Sequence, residues 1–135
     1  MGYLLDTNIC IYLIKNNYPS VRRCFEQHPA DEIFISSVTV YELFYGVEKS
    51  QQGERNRNNL QRFCEQFAVI NFDWQAALKT AEIRCQLEKH GQIIGSYDLQ
   101  IAGVALTNDM ILVSNNLKEF SRVQNLRLEN WLIDI

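Results

Sequence analysis

Asp6, Glu42 and Asp98 are the residues of this chain whose type and setting could do chemistry. Asp6 follows Leu4 and Leu5, Glu42 lies in Val40-Tyr41-Glu42-Leu43, and Asp98 opens Asp98-Leu99-Gln100-Ile101-Ala102. Each stands among apolar neighbours, where an acid is awkward. Gathered by folding, the three would raise one another's pKa values unless a cation shared the site. Oxygen-only ligands of this kind suit a hard ion such as magnesium or manganese.

Each acid also has a plainer explanation. Asp6 and Asp98 could cap helices. Glu42 lies opposite a stripe of Val40, Leu43, Phe44 and Val47 that should face a core, so a solvated side chain is one account of it. Val38 and Tyr45 flank it on that side, however, which points to a covered cleft or a subunit interface. Further on, Ser114-Asn115-Asn116-Leu117-Lys118-Glu119 supplies more oxygen groups. Asn116 could ligate weakly or orient a water, and Glu119 could add a fourth carboxylate; a turn and one helical turn explain the same residues.

These acids depend on the elements that carry them. Apolar runs predict strands over residues 3–5, 33–36, 68–70 and 110–113, with a closing strand around 126–128. Helical periodicity predicts helices over 9–15, 19–27, 38–48, 53–67, 74–90 and 98–106. Pro19 suits a first helical turn, and Ser37 and Asp73 are expected as caps. The alternation implies an α/β fold: one domain, residues 1–135, with a mostly parallel central sheet of four to five strands and helices on both faces. In such sheets ligands bind beyond the carboxyl ends of the strands. Asp6 ends the first strand and Ser114 the fourth, so the two segments should meet.

Composition narrows the function. The chain has 135 residues, 47% hydrophobic and 21% charged, and a formal net charge of −3. That balance argues against holding nucleic acid by general electrostatic attraction. It does not exclude a nuclease, because clustered acids contribute negative charge that a bound metal offsets. Cys10, Cys24, Cys64 and Cys85 are widely spaced and read as reduced packing residues. No run approaches the ~20 apolar residues of a membrane span, no secretion signal is evident, and a cytoplasmic location is expected.

Taken together and in order, the motifs resemble those of PIN-domain ribonucleases, and specifically the VapC toxins of bacterial toxin–antitoxin pairs. The matching pieces are Leu4-Leu5-Asp6-Thr7-Asn8-Ile9, Ser36-Ser37-Val38-Thr39-Val40-Tyr41-Glu42-Leu43, Gly46-Val47-Glu48-Lys49-Ser50, Gly95-Ser96-Tyr97-Asp98, and Leu112-Val113-Ser114-Asn115-Asn116 through Phe120. The resemblance implies Asp6, Glu42 and Asp98 as catalytic metal ligands, with Thr7 and Ser114 in support. The family commonly has a fourth acid where this chain has Asn116, which puts a second metal in doubt and leaves Glu119 as a substitute. It also implies metal-assisted hydrolysis of RNA, with structured RNA and initiator transfer RNA among the substrates, and inhibition of translation. A cognate VapB-type antitoxin and a hetero-oligomer with it are implied as well, and so is a homodimer, which the two-sided apolar helix around Tyr41, Phe44 and Tyr45 also suggests. Candidate RNA contacts are Lys49, Arg55, Arg57 and Lys118, against the plainer reading of a solvated polar stretch.

Two rival functions remain at this level. A haloacid-dehalogenase-type phosphatase also begins with an aspartate after a strand, but its second acid would fall at Asn8. A non-catalytic α/β module could use the acids to bind an arginine-bearing partner.

Overall fold

The computed structural model describes residues 2–132, so Met1 and residues 133–135 of the expected domain lie outside the described residues. Five strands form one sheet in the order β3-β2-β1-β4-β5, every neighbouring pair parallel. They are β1 (Tyr3–Leu5), β2 (Ile33–Ser36), β3 (Ala68–Ile70), β4 (Ile111–Val113) and β5 (Leu128–Glu129). Between them run α1 (Thr7–Lys15), α2 (Pro19–Glu26), α3 (Ser37–Glu48), α4 (Gly53–Cys64), α5 (Trp74–Lys89), α6 (Ser96–Thr107) and the single turn α7 (Leu117–Phe120).

Register sorts the side chains into two cores. Leu4 pairs with Phe34 and Leu112, and all three point to the face covered by α5 and α6. Leu5 pairs with Ile35 and Val113, which point to the opposite face with Ile9, Leu13, Leu43 and Leu60. The period of two along each strand thus fills both layers, as a parallel sheet buried on both faces requires. The four cysteines sit on four separate helices, Cys10 buried and Cys85 exposed.

Close packing brings α6 down against α5. A Cβ at Gly103 would fall 2.0 Å from Thr80 Oγ1 and 3.0 Å from the Ala76 carbonyl. Ala102 and Ala105, both fully buried, keep the same helix slim against the core. Asp98, in the first turn of α6, is carried to the sheet edge by this approach.

Some expected boundaries shift. Ser36, not Ser37, caps α3: its hydroxyl accepts the Thr39 N–H at 3.1 Å, while Ser37 Oγ accepts the Phe72 N–H at 2.9 Å. Helix α4 stops at Cys64, short of residue 67, because Phe67 turns into the core ahead of β3. Strand β5 begins at Leu128, two residues late, since its register is set by Leu112 and Val113. Helix α6 starts at Ser96 after Gly95, so Asp98 belongs to its first turn and is not its cap. Among the described residues no helix is long and apolar enough to cross a membrane.

Candidate active site

Asp6 sits at the hinge between β1 and α1. Its N–H continues the sheet ladder to the Val113 carbonyl at 3.0 Å, and its carboxylate caps α1 by accepting the Ile9 N–H at 2.9 Å. The Ser114 hydroxyl also bonds the carboxylate. Capping and a site role are therefore the same geometry: the cap fixes the rotamer that faces the other acids. Only 3% of Asp6 is exposed. Burial pushes its carboxyl up to about 6, against the Ser114 and Ile9 hydrogen bonds, and the charges of Asp98 and Glu42 add to the rise.

Glu42 is held by a run of hydroxyls. Thr7 Oγ1 donates to Glu42 Oε1 at 2.6 Å. A threonine has one hydroxyl proton, so the 3.1 Å contact between the Thr7 and Thr39 hydroxyls is donated by Thr39. Ser36 Oγ in turn donates to Thr39 Oγ1 at 3.4 Å. The chain Ser36, Thr39, Thr7, Glu42 ends on a carboxylate, and donors aligned in this way polarise one another. Ser36 and Thr39 are fully buried and carry no role in the sequence reading. One signal pointed to Thr39: it lies three residues before Glu42, hence on the same helical face.

Asp98 is half-buried on α6. Its pKa is raised by burial first and by Glu119 and Glu42 next, with Asn116 acting the other way. The Asn116 amide donates to Asp98 Oδ2 at 3.4 Å and to Glu119 Oε2 at 2.8 Å, so it bridges two acids. Its own N–H is anchored on Ser114 Oγ at 2.9 Å. Asn116 thus serves as a donor between carboxylates, and Glu119 does reach the cluster.

Among the described residues, no three of the acids, histidines and cysteines close into a ready metal cage. The acids stand around a cleft, each steadied by a hydroxyl or amide. The donor set nonetheless fits a hard divalent cation, because it is all oxygen, carries excess negative charge and shows the mutual repulsion that a cation relieves.

The expected basic contacts are less concentrated. Lys49 is exposed, with its ammonium 4.7 Å from the centroid of the Tyr45 ring. Arg57 pairs with Glu48, which offsets its charge locally. Arg55 lines a shallow polar depression with Arg62, Asn58 and Asn59. Lys118 is exposed on α7, next in sequence to Glu119.

Comparison with known proteins gives the family of the chain. The PIN domain family model matches residues 3–126. The chain is 45% identical over 131 residues to the tRNA(fMet)-specific endonuclease VapC of Shigella flexneri, covering 97% of this chain and 98% of that one. It is 42% identical over 132 residues to Ribonuclease VapC2 of Haemophilus influenzae, covering 98% and 99%. The crystal structure of DNA-bound VapBC from Salmonella typhimurium superposes with a TM-score of 0.91 at 40% identity, covering 97% and 98%. The chain belongs to the PIN-domain family, among the VapC ribonucleases. PIN-domain nucleases are in general divalent-metal dependent. The phosphatase reading finds no support: Asn8, where a second acid would stand, is an exposed amide.

Proposed function

We propose that this chain is a magnesium- or manganese-dependent endoribonuclease, the toxin partner of a VapB-type antitoxin, acting in the cytoplasm on structured RNA that includes initiator transfer RNA. The observation that carries this reading is the convergence of Asp6 from the end of β1, Glu42 from α3 and Asp98 from α6 on one sheet edge, where the charges of Asp98 and Glu42 reach Asp6 and those of Glu119 and Glu42 reach Asp98. Residues of the chain supply positioning. Ile9 and Ser114 orient Asp6, Thr7 orients Glu42, and Asn116 orients Asp98 and Glu119. A bound divalent ion supplies the positive charge that offsets these carboxylates and the charge developing on the scissile phosphate.

An arginine or lysine from an antitoxin segment could occupy the same acidic cleft, because it replaces the charge of the ion with a hydrogen-bonding cation. The binding-module reading is thereby absorbed as inhibition of the enzyme. A homodimer is the expected toxin assembly, and sedimentation at micromolar concentration tests it.

The deciding experiment incubates the purified protein with total RNA and with initiator transfer RNA, in magnesium or manganese and then in chelator. Cleavage that needs the ion and disappears in Asp6→Asn and Asp98→Asn supports the reading. Cleavage that persists in both variants removes these acids from the site, and no cleavage of any RNA by the unaltered protein removes the activity.

A further inference from the structure

Asp98 and its neighbours Asn116 and Glu119 belong to different segments, and a residue outside the cluster ties those segments together. Arg122 follows Glu119 closely, its N–H bonded to the Glu119 carbonyl at 3.1 Å. Its guanidinium Nη1 donates to the Ile93 carbonyl at 3.0 Å. Ile93 lies in the connector between α5 and α6, just ahead of Asp98.

This bond falls where it can move an acid. The connector is held at its two ends: the Gln92 N–H bonds the Leu87 carbonyl of α5 at 2.8 Å, and the Gly95 carbonyl accepts the Leu99 N–H of α6 at 2.9 Å. Between them Ile94 is buried, but the Ile93 side chain is 70% exposed, so Arg122 supplies the hold that packing does not. A Cβ at Gly95 would lie 3.9 Å from Asp98 Oδ2, so the carboxylate rests against the connector backbone. At the other end of the tie, Phe120 and Val123 are buried and root α7 in the core. The bond therefore runs from the segment that carries Asn116 and Glu119 to the backbone on which Asp98 rests. Asn116 is a second link, and its contact with Asp98 is the longer, at 3.4 Å. The cleft that Arg122 lines with Gln92, Lys79 and His90 includes none of the acids, which places its action on them through the backbone. A guanidinium suits such a tie, because it presents donors from a rigid plane and keeps its proton.

We propose that Arg122 is a positioning residue of the nuclease site: by latching the end of α7 to the connector, it sets the spacing of Asn116 and Glu119 from Asp98 at which this side of the cleft takes a divalent ion. Such a role rests on the ribonuclease reading and adds to it a residue that shapes the ion site without touching the ion. Charge and geometry predict opposite signs. Removing a cation near acidic ligands tightens their hold on a divalent ion if charge alone matters, whereas loosening the ligands weakens it.

The test follows melting temperature against magnesium concentration, each protein being read against its own ion-free value. Cleavage kinetics, and binding of a labelled stem-loop RNA in chelator by anisotropy, are measured in parallel. Arg122→Met keeps an apolar stem and removes the donors; it should weaken apparent magnesium affinity roughly fivefold, the worth of one exposed hydrogen bond from a charged group. Its kcat should fall in limiting magnesium and return to within about twofold of the parent in saturating magnesium, with KM for RNA unchanged. Arg122→Lys, which can place one donor on the same carbonyl, should recover part of the affinity. Unchanged or tighter magnesium binding by Arg122→Met overturns the latch, even where the ion-free melting temperature falls, since the bond would then serve stability alone. Weaker RNA binding in chelator overturns it too and makes Arg122 a phosphate contact. A parent whose melting temperature does not respond to magnesium has no ion site to position and likewise overturns it. Absence of cleavage by a parent that does bind magnesium would strike the ribonuclease reading alone, because the affinity measurement still decides the latch.

Discussion

The two halves of the cleft are built on opposite terms. On one side Asp6 is buried and Glu42 half-buried; the hydroxyls of Ser36, Thr39 and Thr7 run in a chain to Glu42, that of Ser114 bonds Asp6, and among the described residues every buried side-chain polar atom has a partner. On the other side Asp98 and Glu119 are half-buried, and a single asparagine amide holds them apart. The first half is preorganised by the core, since its donors sit on α1, β2, α3 and directly after β4 and cannot relax without moving the sheet. The second half is more exposed, with Asp98 on α6 and Asn116 and Glu119 at the four-residue turn α7, and is the half expected to adjust. A rigid half can aim charge at a reacting centre, whereas an adjustable half can follow a substrate or ion that varies in position.

The sharpest way to break this comparison is Asp6→Asn. Loss of the buried carboxylate should lower kcat by at least a hundredfold on initiator transfer RNA, because charge aimed at the centre disappears. Stability should move the other way. The folded Asp6 carboxyl is raised to about 6 from 3.8, so between those values the unfolded chain releases a proton that the folded chain keeps. Its contribution to stability therefore falls as pH rises through that window and is flat above it, by about 3 kcal/mol in total. Asparagine preserves the cap and does not titrate. In chelator the variant should melt several degrees above the parent at pH 7 and nearly with it at pH 4. Equal melting at both values would show that Asp6 is not strained.

The same linkage fixes the effect of the ion. If Asp6 ligates the proposed ion, protons and that ion compete for it, so magnesium should raise the melting temperature of the parent at pH 7 and scarcely at pH 4. The increment should vanish in Asp6→Asn. A shift of the same size at both pH values would place the ion elsewhere.

The hydroxyl chain gives the next largest effect. Thr7→Val removes the donor on Glu42 Oε1 and should cost about 1.5–3 kcal/mol of activation free energy, the worth of a hydrogen bond to a charged group. Thr39→Val leaves Thr7 bonded to Glu42 and should cost about 1 kcal/mol, read mainly in stability. If the two variants lose activity equally, the chain acts as one unit, and if neither does, Glu42 needs no positioning.

How far these features were legible in the chain follows the same division. The strands β1, β2 and β3 are short apolar runs with clear boundaries, and their parallel order follows from the helices between them. Asp6, Glu42 and Asp98 stood out because each interrupts an apolar pattern. The cap of α3 was misplaced by one residue because Ser36 and Ser37 are both competent; the end of the β2 pleat decides between them. The bond between Thr7 and Thr39 joins residues 32 apart, and it exists only because α1 packs against α3. Tertiary packing created that partnership, and no local spacing announces it. Asn116 was legible as a missing acid but not as a bridge, since bridging requires that α6 and α7 present carboxylates to opposite sides of one amide.

Asn116→Asp tests the adjustable half and carries the smallest expected effect. The amide donates to both Asp98 and Glu119, and an aspartate there would place three like charges where a donor now separates two. In chelator the cost should be on the order of 1 kcal/mol, tempered by partial exposure, with a correspondingly lower melting temperature. Magnesium should recover it, because the additional carboxylate raises both the negative charge and the number of oxygen ligands. Apparent magnesium affinity, measured by the dependence of melting temperature on ion concentration, should rise several-fold over the parent. The rigid half would be unaffected, since Asp6 keeps its bonds to Ile9 and Ser114. Unchanged magnesium affinity, with the stability loss intact, would show that the ion is held entirely by the buried half and that Asp98 and Glu119 face the substrate alone.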